Sequence, residues 1–248
     1  MIVKLKIEID KTVFENKKVY SSFGSIFQGF LMDTICPSYA DKLHIDGIKP
    51  YSQYLYTEKD KAYWVVTTLT NEAYDKIILP LMDKNLTCIN LTHKELSVPI
   101  IDKKIIEHIS YDDLIKKIYI EEEPKKYVKL KFVTPTSFKS HGEYLFYPKL
   151  SNILFSLIQK FDANALDNKL YDEEVFDEIL KSIKIVSYNL KSTKFHLEKT
   201  TIPSFKGEIV ISIKGNDTIK RLVNLILAYS NYSGIGIKTA IGMGGIDI

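Results

Sequence analysis

Hydrophobic and polar residues alternate from the start of the chain: Val3, Leu5, Ile7 and Ile9 interleave with Lys4, Lys6, Glu8 and Asp10. A period of two puts each set on its own face, so this segment predicts a half-buried strand. The period then changes. Tyr20, Phe23, Phe27, Phe30 and Leu31 recur at helical spacing and predict an amphipathic helix over about 19–35, with Gly24 and Gly29 inside it and Pro37 ending it. The stretch 37–50 carries Pro37, Asp46, Gly47 and Pro50 and reads as a loop. Residues 52–57 and 62–69 predict a hairpin around Glu58-Lys59-Asp60. A helix is expected over about 71–83, strands over 86–91 and 95–101, and a short helix over 111–118 behind Ser110.

Glu121-Glu122-Glu123 and Pro124 mark a boundary, and the pattern restarts. Val128, Leu130 and Phe132 alternate with Tyr127, Lys129 and Lys131. Leu150, Ile153, Leu154, Leu157, Ile158 and Phe161 form a helical stripe behind Pro148. A helix is expected over 172–180, and strands over 183–190, 193–199 and 208–214. Ile219, Leu222, Val223, Ile226 and Tyr229 predict a last helix. Each half opens strand–helix–strand–strand and later adds a helix and a strand, the βαββαβ order of ferredoxin-like folds. The expected class is α+β: two tandem ferredoxin-like (RRM-like) domains, 1–122 and 123–248, with a cleft between their sheets.

Composition narrows the picture only a little. With 248 residues, 45% of them hydrophobic, the chain can bury one large core or two smaller ones. The net charge of +3 does not by itself point to nucleic acid. Its distribution says more. Residues 1–120 balance 16 lysines against 16 acids, 162–178 hold seven acids and one lysine, and 181–221 hold nine basic residues and three acidic ones. An acidic piece therefore precedes a basic one, which fits two solvated surfaces or a basic face for a polyanion. Arg221 is the sole arginine. Base readout by the bidentate guanidinium fork is nearly absent, leaving phosphate contacts by lysine and stacking on 16 Tyr and 12 Phe. Cys36 and Cys88 have no CxxC spacing, and no histidine or carboxylate cluster has ligand spacing, so neither metal nor cofactor is expected. The alternating N-terminus is no signal peptide, and no run of about 18 apolar residues exists. No membrane association is expected, and the cytoplasm is the default compartment.

The strongest local signal runs from Ser233 to Gly245, where five of the chain's eleven glycines fall within twelve residues. Such a loop lets backbone N–H groups approach a phosphate closely. Lys238 and Thr239 add a cation and a donor. The dinucleotide fingerprint GxGxxG fails at Thr239, and GxxxxGK[ST] fails as well. Both of those loops run from a strand into a helix, whereas this one follows a helix. The competing explanation is a glycine-rich turn that serves only close packing.

A helix followed by GxGxxxxxGxG near the C-terminus, at Gly234, Gly236, Gly242 and Gly244, resembles the hallmark loop of the RAMP superfamily of CRISPR-associated proteins. Thr134-Pro135-Thr136-Ser137-Phe138-Lys139-Ser140 resembles the [ST]-P-T-x-F segment of the repeat-processing endoribonucleases in that superfamily. Leu43-His44 and Lys49-Pro50-Tyr51 lie after the first helix, where that family keeps a histidine. The three matches span the chain in the family's order. The resemblance implies cleavage within the CRISPR repeat RNA, giving a 2′,3′-cyclic phosphate and a 5′-hydroxyl. It implies His44 as general acid or base and Lys49 as the cation facing the transition state. It also implies RNA contacts from Gly234, Gly236, Lys238, Thr239, Gly242, Gly244, Lys139 and Ser140. Other effector subunits and a second copy of the chain are further candidate partners. One departure stands out. Several relatives place a tyrosine on the first helix near position 30, where this chain reads Ile26-Phe27-Gln28-Gly29-Phe30-Leu31. Tyr39, Tyr51 and Tyr54 are the substitutes at hand, and nothing in the sequence selects among them. A non-catalytic RNA-binding subunit sharing the loop is the alternative reading.

Overall fold

The computed structural model describes residues 1–14, 23–45, 47–165, 167–197 and 200–248, without the side chain of His93. The alternating N-terminal segment is strand β1 (Ile2–Ile9), with Leu5 and Ile7 fully buried. It sits in the middle of a five-stranded sheet with β2 (Tyr51–Glu58), β3 (Lys61–Thr68), β4 (Cys88–Leu91) and β5 (Leu96–Ile109). The order is β2-β3-β1-β5-β4 and every neighbouring pair is antiparallel. Leaving aside the short hairpin strand β4, this is the ferredoxin-like arrangement.

The first helix is Gly24–Thr34, and it buries Phe27, Phe30 and Leu31 against Trp64 and β1. Both phenylalanines meet Trp64 edge-on, with ring centroids 5.2 and 6.1 Å apart. Tyr20, expected at the helix start, lies outside the described residues. Residues 37–50 are not simply a loop, because Pro37–His44 is a second helix. Pro37 does not just end the first helix. Its fixed φ suits the first position of the next one, and Tyr39, Ala40 and Leu43 supply that helix with a buried face. The expected helix at 71–83 spans 71–81, includes a π-helical turn at Tyr74–Ile78, and is capped by the Thr70 side chain, which accepts from the Ala73 N–H. Strand β5 runs eight residues beyond the expected 101, because β1 supplies a partner along nearly its whole length.

The second half repeats the plan. Strands β6 (Tyr127–Thr136), β9 (Ile183–Leu197), β10 (Thr200–Ile213) and β11 (Ile246–Asp247) form a sheet of order β11-β6-β10-β9. Helices Leu150–Asn164 and Asp217–Ser233 pack on one face through Ile153, Leu154, Leu157, Val223 and Ile226. Helix Glu173–Ser182 starts at Asp172, whose carboxylate accepts from the Val175 N–H at 3.0 Å. The separate strands expected at 183–190 and 193–199 are one strand, β9. It lies at the sheet edge and is largely exposed, so its own pattern has no clean period; its pairing with β10 defines it. A small hairpin, β7 (Phe138–Ser140) and β8 (Glu143–Leu145), was not anticipated.

The halves are packed together, not strung on a linker. Ile2, Leu69, Tyr111, Phe161, Leu225 and Tyr229 form a shared apolar cluster. Within it Tyr111 Oη lies 3.2 Å from Tyr229 Oη and donates to the Leu69 carbonyl at 3.1 Å. The sole arginine joins the connection between them: Arg221 donates to the carbonyls of Tyr119 and Glu122, each at 3.0 Å, and to Asp217 at 2.7 Å.

Candidate functional site

The glycine-rich loop continues directly from the long helix Asp217–Ser233. Gly234 at φ 65° ends the helix, and Gly236 (φ 81°), Gly242 (φ 106°) and Gly244 (φ 66°) also take left-handed backbone. Lys238 does so without being glycine (φ 57°), ahead of a short turn at Thr239–Ile241. The loop is mostly buried; Lys238 is its exposed tip. The glycine N–H groups are largely used within the protein. Gly236 donates to Ser156 Oγ at 2.9 Å, Gly244 to the Pro135 carbonyl at 3.0 Å, and Gly234 to the Ser230 carbonyl at 3.0 Å. Close packing is therefore one job of these glycines; Thr239 is buried with its methyl beside Gly234 and Gly244, and the Lys238 side chain is the exposed one.

The 134–140 segment forms the loop's seat. Thr134 Oγ1 accepts from the Gly245 N–H at 2.8 Å, and the Ser137 carbonyl accepts from Ile237 at 3.0 Å. A Cβ on Gly236 would fall well inside van der Waals contact with that same Ser137 oxygen. The two sequence motifs are thus one structural unit. The first half holds the unit from the other side. Gln53, 1% exposed, accepts from Trp64 Nε1 at 2.6 Å and donates to the carbonyls of Gly24 (2.6 Å) and Ala240 (3.1 Å). Its neighbour Ser52 donates to the Tyr232 carbonyl at 2.5 Å.

These contacts leave a cavity of about 450 Å³ where the halves meet. Gly47, Ile48 and Lys49 line it from the first half; Lys139 and Ser140 from β7; Gly236, Lys238 and Thr239 from the loop. Six of the candidate residues, scattered over 190 positions of sequence, therefore line one cavity: Lys49, Lys139, Ser140, Gly236, Lys238 and Thr239. Gly234, Gly242 and Gly244 are buried behind it. Lys49 also donates to the Ile45 carbonyl. His44 is the exposed last residue of helix Pro37–His44, three positions before the lining residue Gly47, and not in a loop. Asp46 lies outside the described residues.

None of the three substitute tyrosines is open to the cavity. Tyr39, Tyr51 and Tyr54 are 3%, 2% and 9% exposed, and burial raises each phenol, that of Tyr51 to about 12. Phe27 and Phe30 are core, as their spacing suggested. His141 lies beside the cavity, its Nδ1 3.0 Å from the Oγ of the lining residue Ser140 at the β7–β8 turn, whereas His108 stacks on Tyr74 and His196 lies beside Thr201. Among the described residues no three His, Cys, Asp or Glu side chains gather as a metal-binding group, and no helix is long and apolar enough to cross a membrane.

A second, larger cleft of about 990 Å³ lies between the exposed faces of the two sheets. Lys4 and Lys6 of β1, Lys131 of β6, Lys191 of β9 and Lys206 of β10 line it, with Tyr54 and Tyr56. Burial lowers the ammonium of Lys206 and, against nearby Asp247 and Glu107, that of Lys4. The Lys6 ammonium sits 3.7 Å from the centre of the Tyr63 ring. The charge count of 181–221 signalled part of this cleft. Lys4 and Lys6 were hidden as the polar half of an ordinary alternating strand.

Comparison with known proteins follows the same lines. The sequence profile of CRISPR-associated endoribonuclease Cas6 matches residues 130–246. A CRISPR-associated endoribonuclease Cas6 of Streptococcus thermophilus is 33% identical over 222 residues, covering 90% of this chain and 89% of the relative. The chain belongs to the Cas6 family. A Cas6 of Mycobacterium tuberculosis is 29% identical over 245 residues, covering 98% of this chain and 76% of its own length. The product complex of a Thermus thermophilus Cas6 superposes with a TM-score of 0.79 over 99% of both chains at 18% identity, which shows the duplicated ferredoxin-like fold. The Cas6 profile covers β6 from Leu130 on, the 134–140 seat and the glycine-rich loop, the segments that the hydrogen bonds above join into one unit.

Proposed function

We propose that this Cas6-family endoribonuclease cleaves CRISPR repeat RNA at the mouth of the 450 Å³ cavity. The observation that carries the reading is the convergence of Lys49, Lys139 and Lys238 from three distant segments on one cavity. Half 1–122 is the domain carrying the catalytic segment, and half 123–248 the domain carrying the RNA-binding loop.

RNA brings its own nucleophile. The 2′-hydroxyl beside the scissile phosphate attacks phosphorus, the bond to the 5′-oxygen breaks, and a 2′,3′-cyclic phosphate and a 5′-hydroxyl result. The protein must move two protons and stabilise charge on the phosphorane-like transition state. His44 is the candidate for proton transfer. It is the exposed last residue of helix Pro37–His44, three positions along the sequence before the lining residue Gly47, and one of the solved Cas6 structures carries a histidine-to-alanine substitution. Lys49, Lys139 and Lys238 supply cations without a metal step. Flanking nucleotides follow the lysine-lined cleft, where Tyr54 and Tyr56 add aromatic surface. The sole arginine is engaged at the connection between the halves, so recognition falls to lysine, backbone shape and stacking. A second copy of the chain or other effector subunits are the proposed partners, and the cytoplasm, where the transcript is made, is the proposed compartment.

The test is cleavage of a repeat RNA in EDTA by wild type and His44→Ala, with a matched substrate carrying 2′-deoxy at the scissile nucleotide. Wild-type cutting lost in both arms is expected, His44→Ala slowing it by about 10²–10⁴-fold. Tight binding without cutting by wild type would replace the enzyme with an RNA-holding subunit. Cutting that survives His44→Ala would move the proton transfer elsewhere.

A further inference from the structure

Lys160 lies inside the apolar stripe of helix Leu150–Asn164, between Leu157 and Phe161, and is 9% exposed. Its Nζ donates to the carbonyls of Gly234 at 3.0 Å and Ser233 at 3.5 Å, the residues where the long helix gives way to the glycine-rich loop. One turn earlier on the same helix, Ser156 Oγ accepts from the Gly236 N–H. One helix face thus grips the start of the loop twice, with a donor and with an acceptor. Both residues line the same cavity as Lys49, Lys139 and Lys238.

Among the described residues, the charged surroundings of Lys160 are one-sided: the ionisable groups that line the cavity beside it are Lys49 from the first half, Lys139 from β7 and Lys238 from the loop. On its own helix, the Asp162 carboxylate accepts from the N–H groups of Leu170 and Tyr171. On the facing helix, Tyr229 donates to the carbonyl of Lys160 and lies beside Tyr111, so neither phenol offers a negative charge. An ammonium buried against two carbonyls with no counter-ion is costly to keep charged. Burial lowers the Lys160 group from the ordinary lysine range to about 7.

We infer that Lys160 is a positioning residue of the RNA site that takes up a proton from solvent when a phosphodiester occupies the cavity. The phosphate brings a negative charge beside a cavity whose described ionisable groups are lysines. The protonated amine then holds Gly234 and Ser233 more tightly, and the loop that carries Lys238 and Thr239 is fixed in register with the RNA. The inference rests on the cavity being the RNA site.

The experiment is titration calorimetry of a repeat RNA with 2′-deoxy at the scissile nucleotide, at pH 7.5, in buffers of different ionisation enthalpy. With about a quarter of the amine protonated in the free protein and all of it in the complex, wild type should take up about 0.8 proton more than Lys160→Arg, whose guanidinium is charged in both states. Lys160→Arg should bind within about threefold of wild type, and Lys160→Met about tenfold more weakly, the difference of one charge-assisted hydrogen bond. Proton exchange elsewhere in the complex is common to all three and cancels in the difference. Lys160→Met is neutral in both states and should lose the same uptake, which preserves the comparison should arginine not pack. Equal uptake in wild type and both variants overturns the inference while leaving RNA binding intact. Absence of wild-type RNA binding overturns it together with the reading of the cavity.

Discussion

Replacing Gly236 by alanine is the sharpest probe of how the two motifs depend on each other. At φ 81° an L-residue is strained by about 1 kcal/mol relative to glycine. The added Cβ also meets the Ser137 carbonyl oxygen, which is backbone and cannot swing aside. That oxygen accepts the Ile237 N–H at 3.0 Å, so moving it strips a buried hydrogen bond, worth about 1–3 kcal/mol when a partner is left unsatisfied. The shift cannot be local, because Pro135, two residues away, is tied to Gly244. The sum is about 2–4 kcal/mol. Gly142→Ala is the internal control: it has φ 86°, but nothing lies within 4 Å of its Cβ, so only the backbone penalty applies. Urea unfolding should place Gly236→Ala about 1–3 kcal/mol below Gly142→Ala. Binding of uncleavable repeat RNA should weaken at least about tenfold in Gly236→Ala alone. Equal unfolding midpoints for the two variants would refute the argument that close approach to Ser137 is what the glycine provides.

Gln53→Leu should destabilise the protein by about 2–4 kcal/mol in urea unfolding, because it leaves Trp64 Nε1 and the carbonyls of Gly24 and Ala240 buried without their partner. A change under about 0.5 kcal/mol would mean that water or a neighbour replaces it. RNA affinity should fall steeply with salt, and replacing Lys131, Lys191 and Lys206 by glutamine should lower the slope of log K against log salt by about 2; an unchanged slope would remove the inter-sheet cleft from the RNA path. Stability should also depend on Lys160. Its folded pKa of about 7 lies below the unfolded lysine value, so the unfolded chain binds the extra proton between about pH 7 and 10.5 and stability rises with pH through that window. Wild type should therefore lose stability relative to Lys160→Met as pH falls from 9 to 6, measured by denaturant midpoints; parallel curves would contradict the burial of a charged amine.

Much of the fold was readable because it rests on local periods. The alternation of Val3, Leu5, Ile7 and Ile9, the stripe from Leu150 to Phe161 and the cap Ser110 are each set within a few residues, and the structure keeps all of them. The misreadings fall where a long-range partner decides. Helix Pro37–His44 is short and its proline pointed equally to a break, and β9 is an edge strand whose extent follows β10. Lys160 left a trace that went unused, a lone lysine inside an apolar stripe, since such a residue needs a buried acceptor to be tolerated.

For the site, glycine spacing singled out the loop from the residues alone, because glycine at set positions constrains backbone shape directly, whereas the 134–140 segment and the His44–Lys49 stretch stood out only through the family resemblance. It did not say that these segments touch. That Lys49, Lys139 and Lys238 line one cavity, that Gln53 ties the loop to the first half, and that most glycine N–H groups face inward all depend on how the two ferredoxin-like halves dock. Docking is decided by side-chain packing across Tyr111, Phe161 and Tyr229, contacts between residues 50 or more positions apart that leave no period in the chain.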